Sequence, residues 1–111
     1  MMERNHEDLL RRLALNDERA LTGVLATGSG LRLPAGVPDL NDKTKSLVSL
    51  AALIATQAAP TSYQSAVSNG FSVGLSESDI VGVLCAVAPV VGAARIQAAS
   101  AALGDVLGTL T

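Results

Sequence analysis

Between Lys45 and Glu77 the chain carries no charged residue. So long an uncharged run either crosses a membrane or is folded away from water, because exposed apolar surface is costly. Its own residues argue for folding: Gln57, Pro60, Gln64, Asn69 and several Ser and Gly interrupt it. A second apolar stretch, Ile80 to Ala94, is shorter than the ~20 residues a bilayer crossing needs, and it contains Pro89. Neither stretch has an aromatic belt or a flanking basic cluster. The expectation is a chain without a membrane span, folded around its uncharged half.

The residues available to fill that core are small. Hydrophobic residues make up 49% of the 111 positions but aromatics only 2%, with one Tyr, one Phe and no Trp. A core of Ala, Leu and Val must be built from closely approaching helices, since each side chain fills little volume. Charged residues amount to 16%, below the ~25% of an ordinary soluble domain. Too little charge is present to cover a lone small globule, which predicts contact with further copies of the chain, a homo-oligomer. A net charge of −2 and the lack of any basic stripe argue against a nucleic-acid partner. One Cys excludes an intramolecular disulfide, and the polar start Met1-Met2-Glu3-Arg4-Asn5-His6 lacks a secretory core. These features fit a cytoplasmic protein of bacterial type.

Helical spacing recurs along the chain. Asn5 is placed to cap a first helix carrying Leu9, Leu10 and Leu13, which stops near Asn16. Asp17 caps a short second one with Leu21, Val24 and Leu25 as its apolar face, closed by Gly28-Ser29-Gly30. Leu31 to Leu40, with Pro34, Gly36 and Pro38, reads as an ordered connector whose Leu31, Leu33 and Val37 reach the core. Asn41 caps a third helix with the stripe Leu47, Leu50, Ala51, Ile54 and Ala58. A fourth follows Pro60 with Tyr63, Val67 and Phe71 on one face, and Gly74 rather than Asn69-Gly70 is its expected end. Ser76 and Asp79 form a capping pattern, with Leu75 and Ile80 as a hydrophobic staple. The fifth helix, Glu77 to about Val91, is apolar nearly all round and is expected to be central, bent or ended by Pro89. The sixth runs from Ala93 to about Leu107 with Ile96, Ala99, Leu103 and Leu107. On it, the small pairs Ala98/Ala102 and Ser100/Gly104 allow close helix contact. Residues 1–39 thus form N-terminal helices and a connector, and 40–111 a helical core, within one domain.

The run Leu40-Asn41-Asp42-Lys43-Thr44-Lys45-Ser46-Leu47-Val48 resembles the L-D-x-K-T-R-x-L-V opening of the carboxymuconolactone decarboxylase family, whose superfamily includes alkyl hydroperoxidase D. The resemblance continues through Ser76-Glu77-Ser78-Asp79-Ile80-Val81-Gly82-Val83-Leu84 to Gly92-Ala93-Ala94-Arg95. It implies an all-α protein, a compact six-helix orthogonal bundle that assembles as trimers or hexamers. Redox members of the superfamily open one helix with Cys-x-x-Cys and place a His four residues later. The matching positions here, anchored on Gly74, are Ala59, Ser62 and Ala66. (Anchored on Lys43-Thr44 the pair becomes Ala58 and Thr61, again without Cys.) That chemistry needs one sulfur to attack and another to resolve the disulfide, and Ala and Ser do neither. The decarboxylase branch uses a His and acidic residues in this region, whereas Ser46 to Ser76 holds no ionisable residue except Tyr63.

Few residues are left to carry a site. Cys85 lies in Val83-Leu84-Cys85-Ala86-Val87 and is expected to be buried filler with a suppressed thiol. His6 is the chain's one His, and a metal site would need further ligands that are missing, so no metal or cofactor is expected. Ser62-Tyr63-Gln64 is a polar cluster at a helix start, where free N–H groups can hold an anionic or carbonyl group. The structural alternative is N-capping by Thr61 or Ser62 with Tyr63 as a core anchor. Arg95 is the last basic residue, suited either to a carboxylate such as Glu77 or Asp79 or to an acidic ligand. Two functional readings follow. In the first, Gln57, Ser62, Tyr63 and Arg95 line a pocket that binds or slowly transforms a small molecule. In the second, the chain is a non-catalytic oligomeric scaffold. Tyr63 hydrogen-bonded to backbone in a filled core would favour the second.

Overall fold

The computed structural model describes residues 4–26 and 38–110. Within that range every regular element is helical: α1 (Arg4–Ala14), α2 (Glu18–Leu25), α3 (Asp42–Thr56), α4 (Pro60–Ser72), α5 (Glu77–Val91) and α6 (Ala93–Leu110). Side-chain caps start α2, α3 and α5, and residues of positive φ follow α1, α3 and α5. None of these helices is long and apolar enough to cross a membrane. Gly28-Ser29-Gly30 and the core contacts expected of Leu31, Leu33 and Val37 lie outside the described residues.

The chain divides into two compact units, Met1–Asp39 and Leu40–Thr111. In the first, α1 ends where Asn16 takes a positive φ of 62°, and Asp17 then caps α2 by accepting from the Ala20 N–H at 2.9 Å. Leu9 and Ala20 are buried there. Leu25, expected on the apolar face of α2, is instead 80% exposed: it is the last helical residue, past the turn that carries Leu21 and Val24.

In the second unit α3 packs on α4 and α5, and α6 closes the set against α4 and α5. Leu50, Ile54, Tyr63, Val67, Ile80, Ala99, Leu103 and Val106 meet at its centre. Burying each of the larger aliphatic side chains contributes roughly 1.5–3 kcal/mol. The Asn41 side chain accepts from the Thr44 N–H at 2.8 Å to start α3. At the start of α5, Asp79 N–H donates to Ser76 Oγ at 3.0 Å and Ser76 N–H donates to Asp79 Oδ2 at 2.9 Å, a reciprocal capping box. Gly70 does not stop α4. A Cβ there would lie 2.8 Å from Leu75 Cδ1 and 3.3 Å from Ser46 Oγ, so glycine lets the helix approach both. Gly74, with φ of 98°, makes the turn after α4.

Two expectations are corrected in this unit. Of α5 only Ile80 is fully buried, while Val81, Cys85, Ala86, Pro89 and Val90 are exposed. Cys85 is therefore not core filler, because α5 packs through one face (Ile80, Val83, Leu84, Val87, Val91) and leaves the other in solvent. Along α6, Ala98, Ser100 and Gly104 are exposed, and nothing lies within 4 Å of a Cβ built on Gly104, so these small residues make no close packing inside the chain. Pro89 falls in the last turn of α5, which runs on to Val91.

Candidate functional site

Of the residues singled out from the sequence, Tyr63 and Arg95 bring their side chains to the carboxyl end of α3, which the Gln57 backbone closes, while Ser62 does not reach it. A helix end leaves its last carbonyls without intrahelical donors. Gln57 takes the left-handed conformation, φ 56°, and its N–H donates to Ile54 O at 3.3 Å while Ala58 N–H donates to Leu53 O at 3.0 Å. This is a Schellman closure with Gln at the position where Gly is usual. The Thr56 hydroxyl reaches back to Ala52 O at 2.9 Å. From α4 the Tyr63 hydroxyl donates to Leu53 O at 3.2 Å. From α6 Arg95 Nη1 donates to Ala55 O at 2.7 Å. Carbonyls 52 to 55 are thus all satisfied, and the Arg95 charge lies where the helix dipole is negative.

Tyr63 is the anchor of this arrangement. It is only 2% exposed, and burial pushes its phenol above the ordinary value, so it stays a protonated donor at neutral pH. It belongs to the central cluster with Ile54, Val67, Ala99 and Leu103. Ser62, half-buried, donates its N–H to Ala59 O at 3.0 Å. The N-cap role expected of Thr61 or Ser62 falls to Ala59, which has no side-chain acceptor, with Pro60 at the first helical position.

The pairing expected of Arg95 also differs. Its described partner is the Ala55 carbonyl, because the start of α6 meets the end of α3, whereas Asp79 stands at the other end of α5 and faces Lys43 at 3.9 Å. The capping box and Lys43 hold the Asp79 carboxyl below its ordinary range. Gln57 contributes its backbone to the junction; its side chain is exposed. His6 lies on α1, and no cluster of three His, Cys, Asp or Glu side chains able to hold a metal occurs among the described residues.

One feature of this region is not legible from residue spacing. Thr61 and Gln64 on α4, with Pro60, line a cleft of about 340 Å³ against Ala102, Asp105 and Val106 of α6. Tyr63 is not among its lining residues, and only the packing of α4 on α6 brings its two walls together.

A family model for carboxymuconolactone decarboxylase matches residues 20–105. The chain belongs to the carboxymuconolactone decarboxylase family. No curated protein and no solved structure matches it. The matched range includes the end of α3 and the start of α4, where Tyr63 is a buried anchor and helix cap. With a single Cys, the chain holds no Cys-x-x-Cys pair.

Proposed function

We propose that this chain is a non-catalytic, self-assembling member of its family, a cytoplasmic homo-oligomeric scaffold that keeps the helical shell without the chemistry. The observation that carries this reading is the Tyr63 hydroxyl, buried and committed to the Leu53 carbonyl. A phenol has one proton to donate, and here the backbone holds it. The cap also takes a guanidinium N–H of Arg95 and the backbone of Gln57. Among the described residues that make this junction there is no carboxylate, imidazole or thiol side chain to act as a base. Assembly as trimers or hexamers is supported by the charge-poor surface and by Val81 and Val90 standing in solvent on α5. Light scattering at micromolar concentration tests it, and a monomer would reject it.

The small-molecule reading retains one supporting observation, the cleft lined by Thr61, Gln64 and Asp105 beside Ser62. In that reading the ligand meets the outer side of the α4 start rather than Tyr63. A thermal-shift screen in which a compound stabilises the wild type but not Gln64→Ala would move the function there.

A further inference from the structure

One face of α5 stands uncovered among the described residues. Ser78, Val81, Gly82, Cys85, Ala86, Pro89 and Val90 are all exposed, and none is charged. At ~100° per residue, Gly82 and Pro89 fall within about 20° of each other at the middle of this face. Cys85 and Ala86 flank that line, and Val81 and Val90 mark its edges. Apart from Ser78, the set pairs about the midpoint of Cys85 and Ala86: Val81 with Val90, Gly82 with Pro89, and Cys85 with Ala86. Two of its members are unfavourable for an isolated helix. Gly82 weakens a helix relative to Ala, and a Cβ built there meets nothing within 4 Å, so nothing described in the chain requires glycine. Pro89 deprives the Cys85 carbonyl of its helical donor.

We infer that the exposed face of α5 packs antiparallel against the same face of a second copy, Pro89 of each seated over Gly82 of the other, across a two-fold axis beside Cys85. Charge supports a second copy as the occupant. Glu77 and Asp79 stand at the start of α5 and Arg95 just past its end, with nothing charged between Asp79 and Arg95. Asp79 already faces Lys43, so the antiparallel arrangement brings chiefly the exposed Glu77 of each α5 to the Arg95 end of the other, and it opposes the two helix dipoles. A self-complementary patch of this kind makes a closed, isologous contact. The inference rests on the assembly reading above and sharpens it: the oligomer contains two-fold contacts, so an even number of copies.

The test uses the full chain, light scattering and a short bismaleimide that bridges two Cys85 thiols. The wild type is expected to be even-numbered and to crosslink to a covalent dimer and nothing larger. Gly82→Leu has open space within the chain and better helix propensity, so helix content holds while the crosslink is lost and the assembled mass falls by half or more. Val90→Glu, at a residue 85% exposed, is expected to do the same and guards against a folding defect in the first variant. A wild-type trimer, or an assembly whose mass and crosslink survive both substitutions, overturns this interface and leaves the assembly reading standing. A monomeric wild type overturns both.

Discussion

At the scale of single residues, Tyr63 holds the most consequence, because one side chain fills the core and caps a neighbouring helix. Tyr63→Phe keeps the ring and removes the bond to Leu53 O, an expected loss of about 1 kcal/mol in urea unfolding. Tyr63→Ala empties the centre and is expected to cost about 3–5 kcal/mol. The two states of the phenol add a pH signature. Burial raises its folded pKa, so the unfolded chain ionises first; the stabilisation is present below about pH 10 and lost as pH rises beyond it. The urea midpoint should therefore fall between pH 9 and 11 by more in the wild type than in Tyr63→Phe; parallel curves would mean that the hydroxyl reaches water. Gly70 answers to space rather than to chain flexibility. Gly70→Val must push aside the buried Leu75 and Ser46, and overpacking of this kind costs about 1–3 kcal/mol. A melting temperature unchanged from wild type would show that α4 and Leu75 separate easily.

At the scale of elements, the α5 start illustrates how short sequence patterns become structure. Ser76 and Asp79 satisfy each other's backbone N–H groups, and Leu75 and Ile80, both buried, clamp the chain entering the helix. Ser76→Ala is expected to cost about 1 kcal/mol. Asp79 makes this cap acid-sensitive. Its folded pKa is depressed, so its contribution is present above the ordinary carboxylate pKa of about 3.9 and fades as pH falls through the lower folded value. Wild type should lose urea resistance between pH 5 and 3 more steeply than Asp79→Asn, whose amide carries no charge to lose. Equal slopes would show that the carboxylate gains nothing from the fold. The end of α3 differs in kind: its cap is assembled from α3, α4 and α6, so no local pattern announces it.

At the scale of the whole molecule, the one thiol has to be set against family membership. The chain belongs to the carboxymuconolactone decarboxylase family over residues 20–105, and its one thiol is exposed on α5 with no second thiol in the same chain. A sulfenate formed at Cys85 would have no intramolecular thiol to condense with. Peroxide turnover is therefore expected at background, unchanged in Cys85→Ser. Activity that disappears in this variant would mean that an external thiol completes a cycle at Cys85.

The sequence by itself determined the six described helices and three of their starts, though Asn5 lies within α1 rather than capping it and the N-cap of α4 is Ala59 rather than Thr61 or Ser62. The caps Asp17, Asn41 and Ser76, the spacing of Leu50 with Ile54 and of Tyr63 with Val67, and the turn at Gly74 act within a few residues, where backbone geometry and side-chain reach suffice. It also determined what chemistry is missing, because absent Cys and His residues need no fold to be absent. Family membership was legible too, carried by the Lys43-Thr44 run and the Ser76 to Leu84 pattern. Tertiary structure alone decided which face of an all-apolar helix is buried. For α5, hydrophobic periodicity is nearly flat around the helix, so only the positions of α3 and α6 leave Cys85 outside and Ile80 within. It also decided that Arg95 meets a carbonyl forty residues away rather than a carboxylate, and that Gly70 serves close approach rather than termination. These outcomes depend on contacts between distant segments, and a side chain's preferred partner in water carries no information about which segment folding will place beside it.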